Sequence, residues 1–215
     1  TRAKLQLQAN FTGNPSSFDL KTKLNDAIVV YDQRTYSVGA LNLDARIRED
    51  STSLTIESLL LNGSLRSNTS PDSLITAVSE HYKQHLKDAN SLSTPKGNVT
   101  LLMDFSINQA PILNQVLLQG LEQLDSARIK VDFTQEADRL VASVDFPHVK
   151  YGASEIDSLG ILINSNSENL DLAVGFLALN SGPLAMDRTY FTGELEDSRL
   201  YFDFNSFEGE EKSYH

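Results

Sequence analysis

Residues 40–65, ALNLDARIREDSTSLTIESLLLNGSL, set Leu41, Leu43, Ala45 and Ile47 on one side of an extended backbone and Asn42, Asp44, Arg46 and Arg48 on the other. A period of two residues belongs to a β-strand with one buried face. The same alternation runs through Leu5, Leu7, Ala9 and Phe11, and through Val99, Leu101, Met103, Phe105 and Ile107. It returns in Ile129, Val131 and Phe133, in Leu140, Ala142, Val144 and Phe146, and in Leu159, Ile161 and Ile163. Leu170, Leu172, Val174 and Phe176 repeat it, as do Leu200, Phe202 and Phe204. Less regular strands fill 17–24, 27–31, 53–61 and 188–195, and the turn formers TGNPSS, DQRT, NSNSEN and NSGP separate many of them. The chain is therefore expected to be mainly β, a long antiparallel meander.

That meander echoes itself. Tyr36 to Leu65 and Tyr151 to Leu184 share the order of a Tyr, a turn, an alternating strand, a polar turn and a second strand. Repeated strand pairs favour an elongated, stackable sheet.

Two segments break the rhythm. SPDSLITAVSEHYKQHLKDA, 70–89, opens with Ser, Pro and Asp and places Ile75, Val78, Tyr82 and Leu86 on one stripe, which predicts an amphipathic helix. APILNQVLLQGLEQL, 110–124, puts Leu113, Val116, Leu117, Leu121 and Leu124 on one face and predicts a second. NSLSTPKGN, 90–98, reads as the loop between them. The organisation expected is a β meander over 1–66, a helical insert over 70–124 and a β meander over 127–208, all within a single fragment. Its strand pattern is already running at AKLQLQANF and the chain stops soon after LYFDFNSF, as in a piece cut from a longer protein.

The balance of 18 Lys and Arg against 29 Asp and Glu leaves a formal charge of −11. Nucleic acid is not an expected partner, because phosphates are held by clustered cations and Lys83, Lys87 and Lys96 are diluted by neutral and acidic residues. With no Cys, disulfides and thiolate metal sites are excluded. No apolar run reaches the 18 or so residues of a membrane-spanning helix. Any such segment would lie outside this stretch.

Candidate chemistry is sparse. His81 and His85 share a helix face, but they lack the His-Glu-x-x-His order of a zinc protease, and His148 lies in a distant strand. The acid groups Glu49 and Asp50, Glu155 and Asp157, and Glu208, Glu210 and Glu211 fall in turns or at the tail, where solvated carboxylates are the default. Gly-x-Ser-x-Gly, phosphate-loop, dinucleotide and calcium-loop patterns are absent. Neither an enzyme nor a metal or cofactor site is expected. Four Asn-x-Ser/Thr sequons, at Asn10, Asn62, Asn68 and Asn98, are expected by chance in a chain of this composition.

What remains is the apolar face. Each exposed side chain of Leu or Phe size forgoes about 1.5–3 kcal/mol of burial, and two helices cannot cover a dozen strands. The face must close on itself, meet a partner, or bind a ligand with long apolar surface. One reading is a periplasmic or surface β-sandwich that binds a protein or a glycan, with Tyr31, Tyr36, Tyr151, Tyr190 and Tyr201 as loosely placed candidates. The other comes from resemblance. FDLKTKLNDAIVVYDQRTYSVGALNLDARIREDSTSLTIESLLLNGSLRSNTSPDSL, INQAPILNQVLLQGLEQLDS, YGASEIDSLGILINSNSENLDLAVGFLALNSGPLAM and TGELEDSRLYFDF together resemble the TamB family, translocation and assembly module proteins of the Bacteroidetes type. The likeness runs over most of the chain and rests on overall pattern rather than on a catalytic signature.

The resemblance implies membership of the AsmA-like and bridge-like lipid transfer superfamily. A long curved antiparallel sheet would form a taco-like trough whose apolar interior carries phospholipid acyl chains between inner and outer membranes and supports outer-membrane biogenesis. The protein would reside in the periplasm of a Gram-negative envelope, anchored to the inner membrane through a segment outside this fragment. Its partner would be an outer-membrane barrel protein of the TamA type. Read onto this sequence, the groove would be lined by Leu5, Leu7, Leu41, Leu43, Ile47, Leu54 and Ile56, and then by Leu101, Met103, Phe105, Ile129, Val131 and Phe133. Leu140, Val144, Leu159, Ile161, Leu170, Leu172 and Val174 would continue it. Acyl chains form no hydrogen bonds, so an aliphatic lining without placed polar groups suffices. The two expected helices depart from the family's nearly pure β pattern and would plug, cap or wall the groove.

Overall fold

The computed structural model describes residues 2–85, 97–196, 199–208 and 211–214. Three long strands come first, β1 (Arg2–Asn14), β2 (Ser17–Tyr31) and β3 (Arg34–Ile47). Shorter ones follow, β4 (Thr52–Ser58), β5 (Leu61–Ser67) and β6 (Thr100–Ile107), with helix α1 (Pro71–His85) before the last. A π-helical turn (Leu113–Leu117) leads into β7 (Leu121–Leu124), β8 (Ala127–Thr134), β9 (Arg139–Tyr151) and β10 (Ser154–Ser165). The chain ends with β11 (Leu170–Phe176), β12 (Ala178–Ser181), β13 (Leu184–Met186), β14 (Thr189–Glu196), β15 (Arg199–Glu208) and β16 (Glu211–Tyr214).

All 16 strands belong to one antiparallel sheet in which neighbours in sequence are neighbours in space, save for the short strands β7, β12 and β13. The pairing path starts at β1 and finishes at β16 without joining the two, so the sheet is open.

Several of these strands are halves of longer ones. β7 and β8 both pair with β9, in the same direction, and break only at Asp125 and Ser126, where the Asp125 amide still donates to the His148 carbonyl at 2.9 Å. β11 and β12 share β10 and break at Leu177, whose amide donates to the Asp157 carbonyl at 2.9 Å. β13 and β14 break at Asp187 and Arg188.

The breaks align. Pro147, which has no amide proton, faces Ser158 at φ +56°, between the pairs Phe146 with Leu159 and His148 with Asp157. In β2 and β3 the register slips between Leu24 with Leu41 and Ala27 with Gly39, with Gly39 at φ +76°. Bulges bend a strand and increase its twist, so a row of them across a sheet is a crease. Inward-facing residues on its two sides are three apart instead of two: Leu124 and Ala127, Phe146 and Val149. A serine held at positive φ tests this line. Ser158→Val should lower stability by about 1–2 kcal/mol, and Ser158→Gly should cost little, in paired thermal melts.

Two cores lie on the apolar face. In the first, Leu74 and Ala77 of α1 pack with Leu101, Phe133 and Leu140, joined by Leu65, Val78, Tyr82, Met103 and Val131. The second fills the crease with Leu113, Leu121, Leu124 and Ala127, against Leu60, Ile107, Phe146 and Val149.

Two expectations are corrected here. Segment 110–124 is not an amphipathic helix. It makes one π turn, closed by the Leu118 amide on the Leu113 carbonyl at 2.7 Å, and then becomes strand. Leu121–Leu124 complete the backbone ladder beside β9, whose end would otherwise lack partners on that side. The first helix exists, over Pro71–His85, with Pro71 in its first turn and Asp72 near the positive end of its dipole. Its buried stripe is Leu74, Ala77, His81 and His85, whereas Ile75 is 68% exposed. Of the expected stripe, Val78 and Tyr82 pack at the margin of the core and Ile75 points away from it. Leu86 and most of the expected loop 90–98 lie outside the described residues.

Candidate functional site

Directly opposed residues in neighbouring strands project from the same face, and the pairing registers carry that face across β1 to β6, β8 to β11, β14 and β15. One row starts Phe11, Leu20, Ala45, Leu54, Leu65 and Met103. It continues through Val131, Ala142, Ile163, Leu172, Gly193 and Phe202. The adjacent row starts Ala9, Thr22, Leu43, Ile56, Gly63 and Phe105. It continues through Ile129, Val144, Ile161, Val174, Phe191 and Phe204. Neither row contains a charged residue, and at a strand spacing of about 4.8 Å each runs roughly 50 Å along the sheet.

The flanking rows hold the other expected lining residues. Ile47, Leu101, Phe133, Leu140 and Leu170 share one row with Thr52, Ser67 and Ser165. Leu7 and Leu41 stand on the other, towards the crease, and Leu159 stands there beside Phe146. The sheet thus gathers on one face every expected lining position whose side chain is described. Leu5 lies in β1 and its side chain is outside the described residues.

Access is uneven along that face. Leu101, Phe133 and Leu140 are covered by α1 and form core rather than open lining. The ends are bare: Phe11 is 57% exposed, Phe202 56% and Phe204 43%. Between them Leu43, Ile56, Phe105, Ile129, Val144 and Ile161 are half-buried.

The opposite face is polar and laced by cross-strand ion pairs. Arg128 meets Asp104 at 2.6 Å, Arg139 meets Asp132 at 2.8 Å, and Arg46 and Arg48 converge on Asp19 at 3.0 and 2.7 Å. The guanidiniums hold the carboxyls of Asp19 and Asp104 below their ordinary value. These pairs are solvent-exposed and contribute little stability. A concavity of about 360 Å³ is lined by Gln8, Asn10, Lys21, Asn42, Asp44 and Glu57 among others, with Leu43 also at its wall.

A buried polar cluster sits under α1. His81 Nε2 meets Ser165 Oγ, His81 Nδ1 lies 3.2 Å from the Gln84 amide nitrogen, and the His81 ring stands edge-on to Phe133 with centroids 5.4 Å apart. The His85 ring is 5.3 Å from that of His81, and its buried Nε2 has no hydrogen-bond partner among the described residues. Burial holds both imidazoles below their ordinary pKa of 6.5, against the opposing pull of buried Asp138 in the β8–β9 turn. The sequence placed these two histidines on one helix face without showing that this face is buried. The signal that could have found them is the alternative stripe through Leu74, Ala77, His81 and His85, which follows helical spacing equally well. Among the described residues no group of three His, Cys, Asp or Glu is arranged to hold a metal ion, and no helix is long and apolar enough to cross a membrane.

Of the aromatic residues considered for glycan binding, Tyr31 and Tyr151 meet near the π turn with their hydroxyls already engaged. Gln119 donates to the Tyr31 hydroxyl at 2.7 Å, and the Tyr151 hydroxyl donates to the Gln119 carbonyl at 3.2 Å. Tyr36 is buried. Comparison of the chain with family models, curated proteins and solved structures finds no match.

Proposed function

We propose that the apolar face carries lipid acyl chains, and that the chain is a segment of an envelope-spanning lipid transfer protein of the TamB kind. The observation that carries this reading is the pair of uncharged rows running side by side across twelve strands, half-buried in the middle and bare at both ends. Rows two residues apart along a strand lie about 7 Å from each other, so the pair offers a strip wide enough for hydrocarbon and more than twice the length of a single acyl chain. No second sheet covers it among the described residues, and α1 covers only the stretch around β5 to β10. A soluble domain rarely leaves such a surface uncovered without a ligand or partner for it.

The role follows as a proposal: phospholipid moves along the strip between inner and outer membranes, in the periplasm, with an inner-membrane anchor elsewhere in the protein and a barrel partner of the TamA type. The sheet supplies an apolar path and a polar outer face. No proton transfer, nucleophile or cofactor enters.

The test is direct. Native mass spectrometry and solvent extraction of protein purified without detergent should find phospholipid bound, and a fluorescent fatty acid should compete for it. Lipid-free protein that also ignores the probe would overturn the reading.

A further inference from the structure

A helix laid on an apolar sheet ordinarily buries aliphatic side chains. Two of the four fully buried positions of α1 are instead histidines, His81 and His85, one turn apart. Around them β5, β6, β8 and β9 contribute the apolar Leu65, Leu101, Met103, Val131, Phe133 and Leu140. The groups that can hold charge or a hydrogen bond nearby are Ser165 of β10, Asp138 of the β8–β9 turn, and Tyr82 and Gln84 of α1 itself. Only Asp138 among these favours an imidazolium.

We propose that α1 is a proton-released latch on the apolar face: with His81 and His85 neutral the helix stays docked over Leu101, Phe133 and Leu140, and protonation undocks it and bares that stretch.

The geometry distinguishes the two charge states. His81 Nε2 reaches Ser165 Oγ and His81 Nδ1 the Gln84 side-chain amide, so a neutral ring with its proton on either nitrogen is held while the helix is docked. A second proton would place a charge on a buried ring that stands edge-on to Phe133, beneath a helix packed on Leu101 and Leu140. His85 has no partner for Nε2 among the described residues, and its protonated form would bury a charge beside a second imidazolium. Undocking hydrates both rings. Asp138 opposes this, but burial outweighs it at both histidines.

The direction with pH follows. Undocked imidazoles take up protons near pH 6.5, docked ones only at lower pH, so between those values the undocked state binds more protons. Docking is at full strength above about pH 6.5 and weakens as pH falls from there. For each histidine that docking keeps neutral, the undocked population should rise about tenfold between pH 7.5 and 5.5.

Hydrogen exchange of the α1 amides, corrected for intrinsic rate and referred to those of β8 and β9, reads this out between pH 7.5 and 5.5. The latch requires α1 protection to fall by about tenfold or more while the sheet stays protected. It also requires the fall to vanish in a His81→Phe, His85→Leu double variant. Unchanged α1 protection in the native chain, or a pH response that survives in a folded double variant, would overturn it. Should the double variant fail to fold, imidazole nitrogen chemical shifts of the native chain decide: titration of both rings below 6.5 supports the latch, and titration at or above it refutes it.

The consequence for ligand rests on the lipid reading and is separable from the latch. A fluorescent fatty acid should bind more at pH 5.5 than at 7.5. Release of α1 with no fatty-acid binding at either pH would sink the lipid reading and leave the latch standing. Binding without any change in α1 would do the reverse.

Discussion

Phe133→Ala should lower the melting temperature by about 10 °C and abolish docking of α1. Phe133 is fully buried, opposed on one side by Leu101 and on the other by Leu140, with the His81 ring edge-on above it. Truncating such a side chain removes its transfer free energy and leaves a cavity, together about 3–5 kcal/mol. In a domain of this size each kcal/mol corresponds to roughly 2–4 °C. The core is small: the buried set consists of Leu74, Ala77, Leu101, Phe133 and Leu140, so no second layer can relax into the gap. A melt followed by far-ultraviolet circular dichroism, with α1 hydrogen exchange beside it, checks both parts. A shift below about 3 °C would mean that α1 and the sheet do not share a core.

How much of this could be read beforehand differs from element to element. Strand identity and facing were legible wherever alternation held, because a strand buried on one face writes its register into the sequence. Leu43, Met103, Ile129 and Val174 were placed on one face by period alone, and the pairing registers bring them together. The crease was not read. It shows in the sequence as apolar pairs three apart, Phe146 with Val149 and Leu124 with Ala127, where alternation skips a phase. Such a skip resembles the end of a strand, and only the partner strands, each skipping at the same level, show it to be a bend. Segment 110–124 misled for a related reason. Leu113, Val116, Leu117, Leu121 and Leu124 satisfy helical spacing, but the open ladder beside β9 binds the second half of the segment more firmly than a helix capped by Gly120 could hold it. On α1 the expected stripe through Ile75, Val78 and Tyr82 lies one residue round from the buried one through Leu74, Ala77, His81 and His85, and helical spacing fits both.

The sharpest division between core and open lining is expected from one substitution made at two places on the same face. Leu101→Asp should abolish the cooperative melt, and Leu43→Asp should leave it within a few degrees of the native chain. Leu101 is buried beneath α1 with Phe133 opposite, and a carboxylate there would lie among Leu74, Ala77, Phe133 and Leu140. Burying it unpaired costs several kcal/mol, a large part of the 5–15 kcal/mol that holds a domain together. Leu43 is half-buried between Thr22 and Ile56, in a row that α1 does not cover, so its carboxylate can turn to solvent. The same charge placed in a hydrocarbon path repels what the path is proposed to carry. Leu43→Asp should therefore keep its fold and lose most of its bound lipid and fatty-acid probe, measured on protein purified in parallel with the native chain. If Leu43→Asp unfolds as readily as Leu101→Asp, the middle rows are closed core and the lipid reading fails. If it folds and binds lipid as before, the path does not run over Leu43.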